Sequence, residues 1–218
     1  MRVAADVCGT FTDILLRRPD GERFIRYELV VGTWGAWPTA DGNDGLSNPC
    51  ATTANIPVEV AESEFPIMIE RYGLVPDSGG PGRFRGGLAI ERVWKSLATN
   101  TTLKVRSDRQ NHAPYGLSGV LEGGRSANLL TDGSGAHSYP PVFSIVTASG
   151  TVFHHRMAGR GGWGDPLDRE PDAVTDDVRN EKVGAATARE HYGVVIRGDG
   201  SVDVVATTGL RTIMRAAG

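Results

Sequence analysis

Residues 55–87 read NIPVEVAESEFPIMIERYGLVPDSGGPGRFRGG, and two kinds of pattern follow one another in this stretch. Its first half has apolar residues two positions apart, at Val58, Val60, Ile67 and Ile69. This is the spacing of β-strands with one buried face. The run DSGGPG at residues 77–82 then places three glycines and a proline together, which no regular element accommodates. The pattern therefore predicts strand segments followed by a glycine-rich loop.

The glycine-rich loop carries two arginines, Arg83 and Arg85, with Phe84 between them. Alternate side chains of an extended chain point to the same side, so we expect the two guanidinium groups to face one way. Guanidinium groups above backbone amides suit an anionic group such as a phosphate or a carboxylate. Asp77, Ser78, Arg83 and Arg85 are therefore the candidate substrate- or anion-binding residues. A structural turn followed by a solvated strand explains the same residue types, and no residue is identified as catalytic.

The stretch resembles the hydantoinase B and 5-oxoprolinase family. That family carries a Pro-x-Glu-x-x-Glu segment and then the signature Tyr-x-Leu-x-x-Asp-Ser-Gly-Gly-x-Gly-x-x-Arg-Gly-Gly, both of which occur here. The similarity continues at residues 159–166, 176–179 and 188–195. It thus covers residues 32–218, which resemble the C-terminal portion of hydantoinase B.

Residues 1–31 are predicted to form a separate piece, a β-hairpin remnant. The string DVCGTFTD at residues 6–13 resembles the start of hydantoinase A, the partner of hydantoinase B, and through it the first phosphate-binding hairpin of actin-like ATPases. The resemblance makes Asp6, Gly9 and Thr10 candidate phosphate-binding residues. Cys8 stands where that family has glycine, and its Cβ weakens the match because the turn leaves little room. The sequence thus divides into two regions, 1–31 and 32–218.

Turn signals recur at short intervals between residues 88 and 153, with alternating segments between them, which predicts an antiparallel set of strands. Pro171 suits a first helical position, and a second helix is predicted from Ala185 to Tyr192, ending at Gly193. Residues 194–196 and 202–205 flank a turn and predict a hairpin, after which Thr207 or Thr208 would cap a final helix. The predicted fold class is α+β and β-rich, with antiparallel sheets, short C-terminal helices and a terminal hairpin.

Composition excludes several classes of function. The 218 residues carry a net charge of −3 with a pI near 6.0, which gives no electrostatic case for binding nucleic acid or an anionic membrane. We expect a cytoplasmic chain, since it has two distant cysteines, no apolar run long enough for a membrane span and no signal-peptide pattern. The five histidines form no HxH or HExxH pattern, so no metal site is predicted.

The resemblance implies part of a subunit of an ATP-dependent cyclic amide hydrolase that opens 5-oxoproline or a hydantoin. It also implies ATP with Mg²⁺ as the cofactor of the complex and a hydantoinase A-like subunit as partner in a hetero-oligomer. Two alternatives stay open: a subunit of an acetone or acetophenone carboxylase-type enzyme, and a folded remnant without catalytic activity. Because most of both subunits has no counterpart here, activity of the isolated chain is doubtful.

Overall fold

The computed structural model describes residues 10–17, 23–30, 32–46, 54–118 and 120–217, and for residues 10–17 and 23–29 it describes the backbone alone. Within these ranges the strands form two antiparallel sheets, one of four strands and one of five. The strands are β1 (Thr10–Arg17), β2 (Arg23–Val30), β3 (Ile67–Val75), β4 (Ala89–Ser96), β5 (Thr101–Arg106), β6 (Ala127–Asp132), β7 (Gly135–Tyr139), β8 (Val142–Thr147) and β9 (Val152–Arg156). The predicted α+β class with antiparallel sheets is confirmed.

The smaller sheet has the order β2-β1-β5-β8, and the larger has the order β3-β4-β9-β6-β7. Strand β1 pairs with β5 in antiparallel register, from Phe11 opposite Arg106 to Leu15 opposite Thr102. The N-terminal hairpin therefore shares a sheet with strands from the second predicted region. The boundary between residues 31 and 32 stays a prediction.

The main apolar core joins the two sheets. Leu103 and Val105 of β5 are buried together with Trp94 of β4, Leu130 of β6 and Phe153 of β9. Residues of one strand in this cluster are two positions apart, as alternation across a strand requires. Within this core the rings of Trp94 and Phe153 meet edge to face, with their centroids 5.4 Å apart and their planes at 66°.

One predicted strand is wrong, because residues 58–64 form helix α1 (Val58–Glu64). Pro57 occupies the N-cap position, and Ala61 is fully buried while Val60 is exposed. Ala61 and Phe65, which pack on the core, are four positions apart, and the half-buried Val58 stands three positions before Ala61, which is helical spacing. An alternation over only three residues was too short to distinguish a strand from a helix.

Two of the C-terminal helices, at residues 171–179 and 185–192, contribute Val174, Ala188 and Tyr192 to a second apolar cluster. After a short 3₁₀ helix (Pro166–Asp168), the chain forms α2 (Pro171–Arg179), α3 (Ala185–Tyr192) and α4 (Val204–Ala217). Pro171 does begin α2, and α3 has its predicted bounds, with Gly193 in the left-handed conformation at φ 62°. Both predictions are confirmed.

The predicted terminal hairpin is reduced to a single bridge between Ile196 and Val202. Residues Val204 and Val205 belong to α4, so the second strand of the hairpin and the predicted cap at Thr207 or Thr208 are wrong. Asp203 takes the capping role, because its Oδ1 accepts a hydrogen bond from the backbone N–H of Ala206 at 3.0 Å. Among the described residues no helix is long and apolar enough to cross a membrane.

Candidate functional site

Most of the glycine-rich loop at residues 77–87 is buried, with Asp77 and Arg83 exposed, and the loop packs against a second glycine-rich loop at residues 159–164. The Gly80 N–H donates to the Arg160 carbonyl at 2.7 Å, and Phe84 and Trp163 exchange two backbone hydrogen bonds of 2.9 Å. A third loop joins them, since the Gly124 N–H donates to the Ser78 carbonyl at 2.7 Å. We call this arrangement of residues 77–87, 123–124 and 159–164 the glycine layer.

Glycine is required in this layer because backbones approach one another too closely for a side chain. A Cβ on Gly159 would lie 1.7 Å from the carbonyl oxygen of Ser78, and a Cβ on Gly86 would lie 1.9 Å from that of Arg160. Atoms at these separations overlap, so any larger residue would force the loops apart. The glycines of the motif therefore serve close backbone packing.

Asp77 and Ser78 hold the layer to its neighbours. One carboxylate oxygen of Asp77 accepts a hydrogen bond from the Gly184 N–H at 2.7 Å, just before α3. The Ser78 hydroxyl donates to the Val75 carbonyl at 2.6 Å and accepts from the Ala89 N–H at 2.7 Å. The Ser78 hydroxyl thus donates one hydrogen bond and accepts another within the chain, and both bonds fix the conformation of the loop.

Arg83 and Arg85 differ in environment, so the expectation that they face one way is wrong. Arg83 is exposed and its guanidinium carbon lies 5.6 Å from the Phe84 ring centroid, whereas Arg85 is 2% exposed. Arg85 binds both carboxylate oxygens of Asp44, at 3.1 and 3.2 Å, and its Nε lies 3.5 Å from Asp177. The buried arginine is therefore neutralised within the chain.

A second buried arginine, Arg169, completes the charged network. Its two terminal nitrogens contact both carboxylate oxygens of Asp41, at 2.6 and 2.7 Å, and Nη2 also donates to Asp177 at 2.7 Å. Lys182 adds a contact of 2.9 Å to Asp44. The charged network thus consists of three cations (Arg85, Arg169, Lys182) and three carboxylates (Asp41, Asp44, Asp177), so its formal charges cancel.

The network keeps Asp41 and Asp44 ionised. Burial alone would raise the pKa of Asp41, but the hydrogen bond and charge of Arg169 outweigh it and hold that pKa below its ordinary value. Burial likewise opposes ionisation of Asp44, and the hydrogen bond from Arg85 reverses the effect, so the pKa of Asp44 is also lowered. These groups stabilise one another and position the loops.

Sequence reasoning found Arg85 but missed Asp41, Asp44, Arg169 and Asp177 as its network. The acidic residues near Asp41 stand in a turn-rich segment, and the arginine that binds Asp41 is 128 positions away. Only the three-dimensional fold brings them together. Whether Asp77, Ser78, Arg83 and Arg85 bind a substrate or an anion stays a prediction.

The three phosphate-binding candidates lie at or beyond the limit of description. Asp6 and Gly9 are outside the described residues, and Thr10 is described only as the first backbone position of β1. Among the described residues no group of three or more His, Cys, Asp or Glu side chains is placed to hold a metal ion. His155 is buried, and this burial lowers its pKa to about 3, so its ring is neutral and its Nδ1 bonds Asn128 at 2.8 Å.

A shallow cleft of about 380 Å³ opens beside the glycine layer. The polar side chains that line it are Asp77 of the layer, Glu122 and Arg125 beside the layer, and Thr187 and His191 of α3, together with Leu121 and Pro81. Its polar lining suits a small polar group.

The chain is similar in sequence to a known protein family and to individual members of it. A family model described as Hydantoinase B/oxoprolinase matches residues 1–166. The beta subunit of caprolactamase from Pseudomonas jessenii is 35% identical over 200 residues, covering 87% of this chain and 34% of that subunit. The chain spans about a third of the length of the curated relatives it matches.

Two solved structures share the fold. The ATP-dependent caprolactamase from Pseudomonas jessenii matches with a TM-score of 0.72 and 25% identity, covering 96% of this chain and 39% of that chain. The nucleotide-free structure of acetone carboxylase matches with a TM-score of 0.80 over 95% of this chain and 33% of that chain. At 22% identity, the second match shows the fold alone.

Proposed function

The chain belongs to the hydantoinase B/oxoprolinase family, and from this premise we propose that it contributes the glycine-layer portion of a B-type subunit in an enzyme that opens cyclic amides with ATP. The observation that carries the proposal is the 35% identity to the caprolactamase beta subunit across 87% of this chain. Caprolactam, 5-oxoproline and hydantoins share a ring amide, so this bond is the proposed common substrate feature.

Within such a subunit the described residues would act mainly as a scaffold. Arg85 and Arg169 are already paired with aspartates, and Ser78 donates and accepts its hydrogen bonds internally. Arg83 is the exposed cation of the motif and is therefore our candidate for contact with an anionic substrate or intermediate. Asp77 would keep α3 in place beside the cleft through its bond to Gly184.

The described residues do not fit a site for ATP and Mg²⁺. They hold no cluster of three metal-ligating side chains, and the buried arginines of the network already contact carboxylates. We therefore assign ATP with Mg²⁺ to a hydantoinase A-like partner subunit in a cytoplasmic hetero-oligomer. The likeness of residues 6–13 to hydantoinase A remains part of this proposal, and we derive no reaction step through the nucleotide.

A second candidate function is that of a carboxylase subunit. The fold is shared with acetone carboxylase at a TM-score of 0.80, which is compatible with a carboxylase subunit. The higher sequence identity to the caprolactamase subunit favours the amide hydrolase. The two differ in what must accompany ATP turnover: a cyclic amide in one case, a ketone with bicarbonate in the other.

The test is to purify the chain with and without the hydantoinase A-like subunit of the same organism. Size-exclusion chromatography with light scattering would report the complex, and phosphate release would report ATP turnover. We expect a stable complex whose ATP hydrolysis requires caprolactam, 5-oxoproline or hydantoin. Turnover that requires acetone with bicarbonate would support the carboxylase. A monomer without partner or turnover would identify a folded remnant.

A further inference from the structure

Arg160 occupies a fixed position in the glycine layer. Its backbone N–H donates to the Gly87 carbonyl at 3.0 Å, and its own carbonyl accepts from Gly80 at 2.7 Å. The residue is only 7% exposed.

The guanidinium group of Arg160 has almost no hydrogen-bond partners. Its Nε donates to the Thr33 carbonyl at a long 3.3 Å, and its Nη1 is fully buried without a partner among the described residues. Arg85 and Arg169, which are equally buried, each contact two aspartates. No described carboxylate forms an ion pair with Arg160.

A second buried donor lies on the adjoining segment. Trp34 directly follows Thr33, the residue that Arg160 contacts, and the indole Nε1–H of Trp34 also has no partner among the described residues. A buried cation or N–H group without an acceptor is unfavourable, because it has lost its hydrogen bonds to water and forms none within the protein. An acceptor that carries negative charge would compensate Arg160.

We propose that Arg160 anchors an anion-binding site and that its ligand is a carboxylate or phosphate group. The planar guanidinium presents paired N–H donors that match the two oxygens of either group. The group could come from a small molecule or from an acidic side chain of a partner subunit, and the chemistry at Arg160 is the same. The inference does not depend on the cyclic amide proposed above.

The first arm of the test uses free anions. Thermal unfolding of the full chain is followed at constant ionic strength while sodium chloride is replaced by phosphate or by acetate. At an anion concentration one hundred times Kd, the Tm of the wild type should rise by about 5–11 °C. Arg160→Met should abolish the rise, and Arg160→Lys, which keeps the charge but not the paired donors, should reduce it. Arg179→Met, which removes an exposed arginine of α2 outside the glycine layer, should leave the rise unchanged.

The second arm distinguishes the sources. If neither phosphate nor acetate raises the Tm of the wild type, binding of the hydantoinase A-like subunit is measured by light scattering for the same variants. A complex lost in Arg160→Met and Arg160→Lys but kept in Arg179→Met would assign the carboxylate to the partner. The proposal is overturned if anions raise the Tm of Arg160→Met as much as that of the wild type. It is also overturned if neither the anions nor the subunit distinguishes the Arg160 variants from the wild type. Far-UV circular dichroism verifies that each variant is folded.

Discussion

Replacing Arg169 with methionine should destabilise the protein strongly, because it removes the cation between the buried carboxylate of Asp177 and the partly exposed carboxylate of Asp41. Arg169 makes three charge-assisted hydrogen bonds of 2.6–2.7 Å, two to Asp41 and one to Asp177. Methionine fills a similar volume, so the main loss is electrostatic. After the change Asp41 keeps the Arg85 backbone N–H at 2.7 Å, and Asp177 keeps only the Arg85 Nε at 3.5 Å.

The size of the effect follows from burial. Each hydrogen bond to a charged group contributes about 1.5–3 kcal/mol, but the side chain of Asp41 is 35% exposed and water can replace part of what it loses. We therefore expect a loss of about 3–5 kcal/mol in the free energy of unfolding, the range for removing one partner of a buried pair. For a chain of this size the Tm should fall by roughly 6–20 °C.

Arg179→Met is the matched control. Arg179 contacts Asp176 at 2.6 Å, the same separation as the shortest bond of Arg169, but both side chains are more than 60% exposed. An exposed pair contributes less than about 1 kcal/mol, because water and salt screen it. The assay is urea unfolding at neutral pH, followed by circular dichroism.

Two outcomes would show whether the charged network stabilises the fold. If Arg169→Met loses no more stability than Arg179→Met, the network does not stabilise the fold in the way described. In the double variant Arg169→Met with Asp41→Asn, part of the stability should return, because one of the uncompensated charges is gone. If the two effects simply add, the destabilisation has another cause.

Two other predictions concern the glycine layer and acid stability. Gly159→Ala should lower the free energy of unfolding by about 1–3 kcal/mol or more, because its Cβ would overlap the Ser78 carbonyl. Gly133→Ala is the control: a Cβ there would have no described atom within 4 Å, so the free energy of unfolding should change by less than about 1 kcal/mol. Both values are measured by urea unfolding, and similar values for the two variants would contradict the packing role of Gly159. The pKa values of Asp41 and Asp44 are lowered in the folded state, so the stability they contribute is fully present above their ordinary value of 3.8 and is lost as pH falls through the lower folded values. The free energy of unfolding should therefore decrease between pH 4 and pH 2 in urea titrations at each pH, and a constant or increasing value would refute this account.

Much of the fold follows from local patterns. Helices α2 and α3 were predictable because Pro171 marks the start of one and Gly193 the end of the other, and the strands of the core because short extended or alternating segments stand between closely spaced turn signals. Helix α1 was not, since Val58 and Val60 suggest a strand until the burial of Ala61 is known. Helix α4 began before its predicted cap because Asp203, a better N-cap than Thr207, stands four residues earlier.

The site was less predictable than the fold. The signature at residues 77–87 is readable in the sequence, and it marks the loop correctly. Its partners come from segments that no local pattern connects, so the pairing of Arg85 with Asp44 and Asp177 depends on long-range packing. The sequence pattern therefore places Arg85 in the loop, but it does not indicate whether the guanidinium group faces solvent or a carboxylate.

The charged network also has a consequence for where this protein can be divided. The family model ends at residue 166, but Arg169, Asp177 and Lys182 lie beyond that point and neutralise residues before it. A fragment cut at the family boundary would retain Asp41 and Asp44 with Arg85 as their remaining cation in the network. The span over which the family is recognised is thus shorter than the span that can unfold as one cooperative unit, and expression fragments should extend through α3.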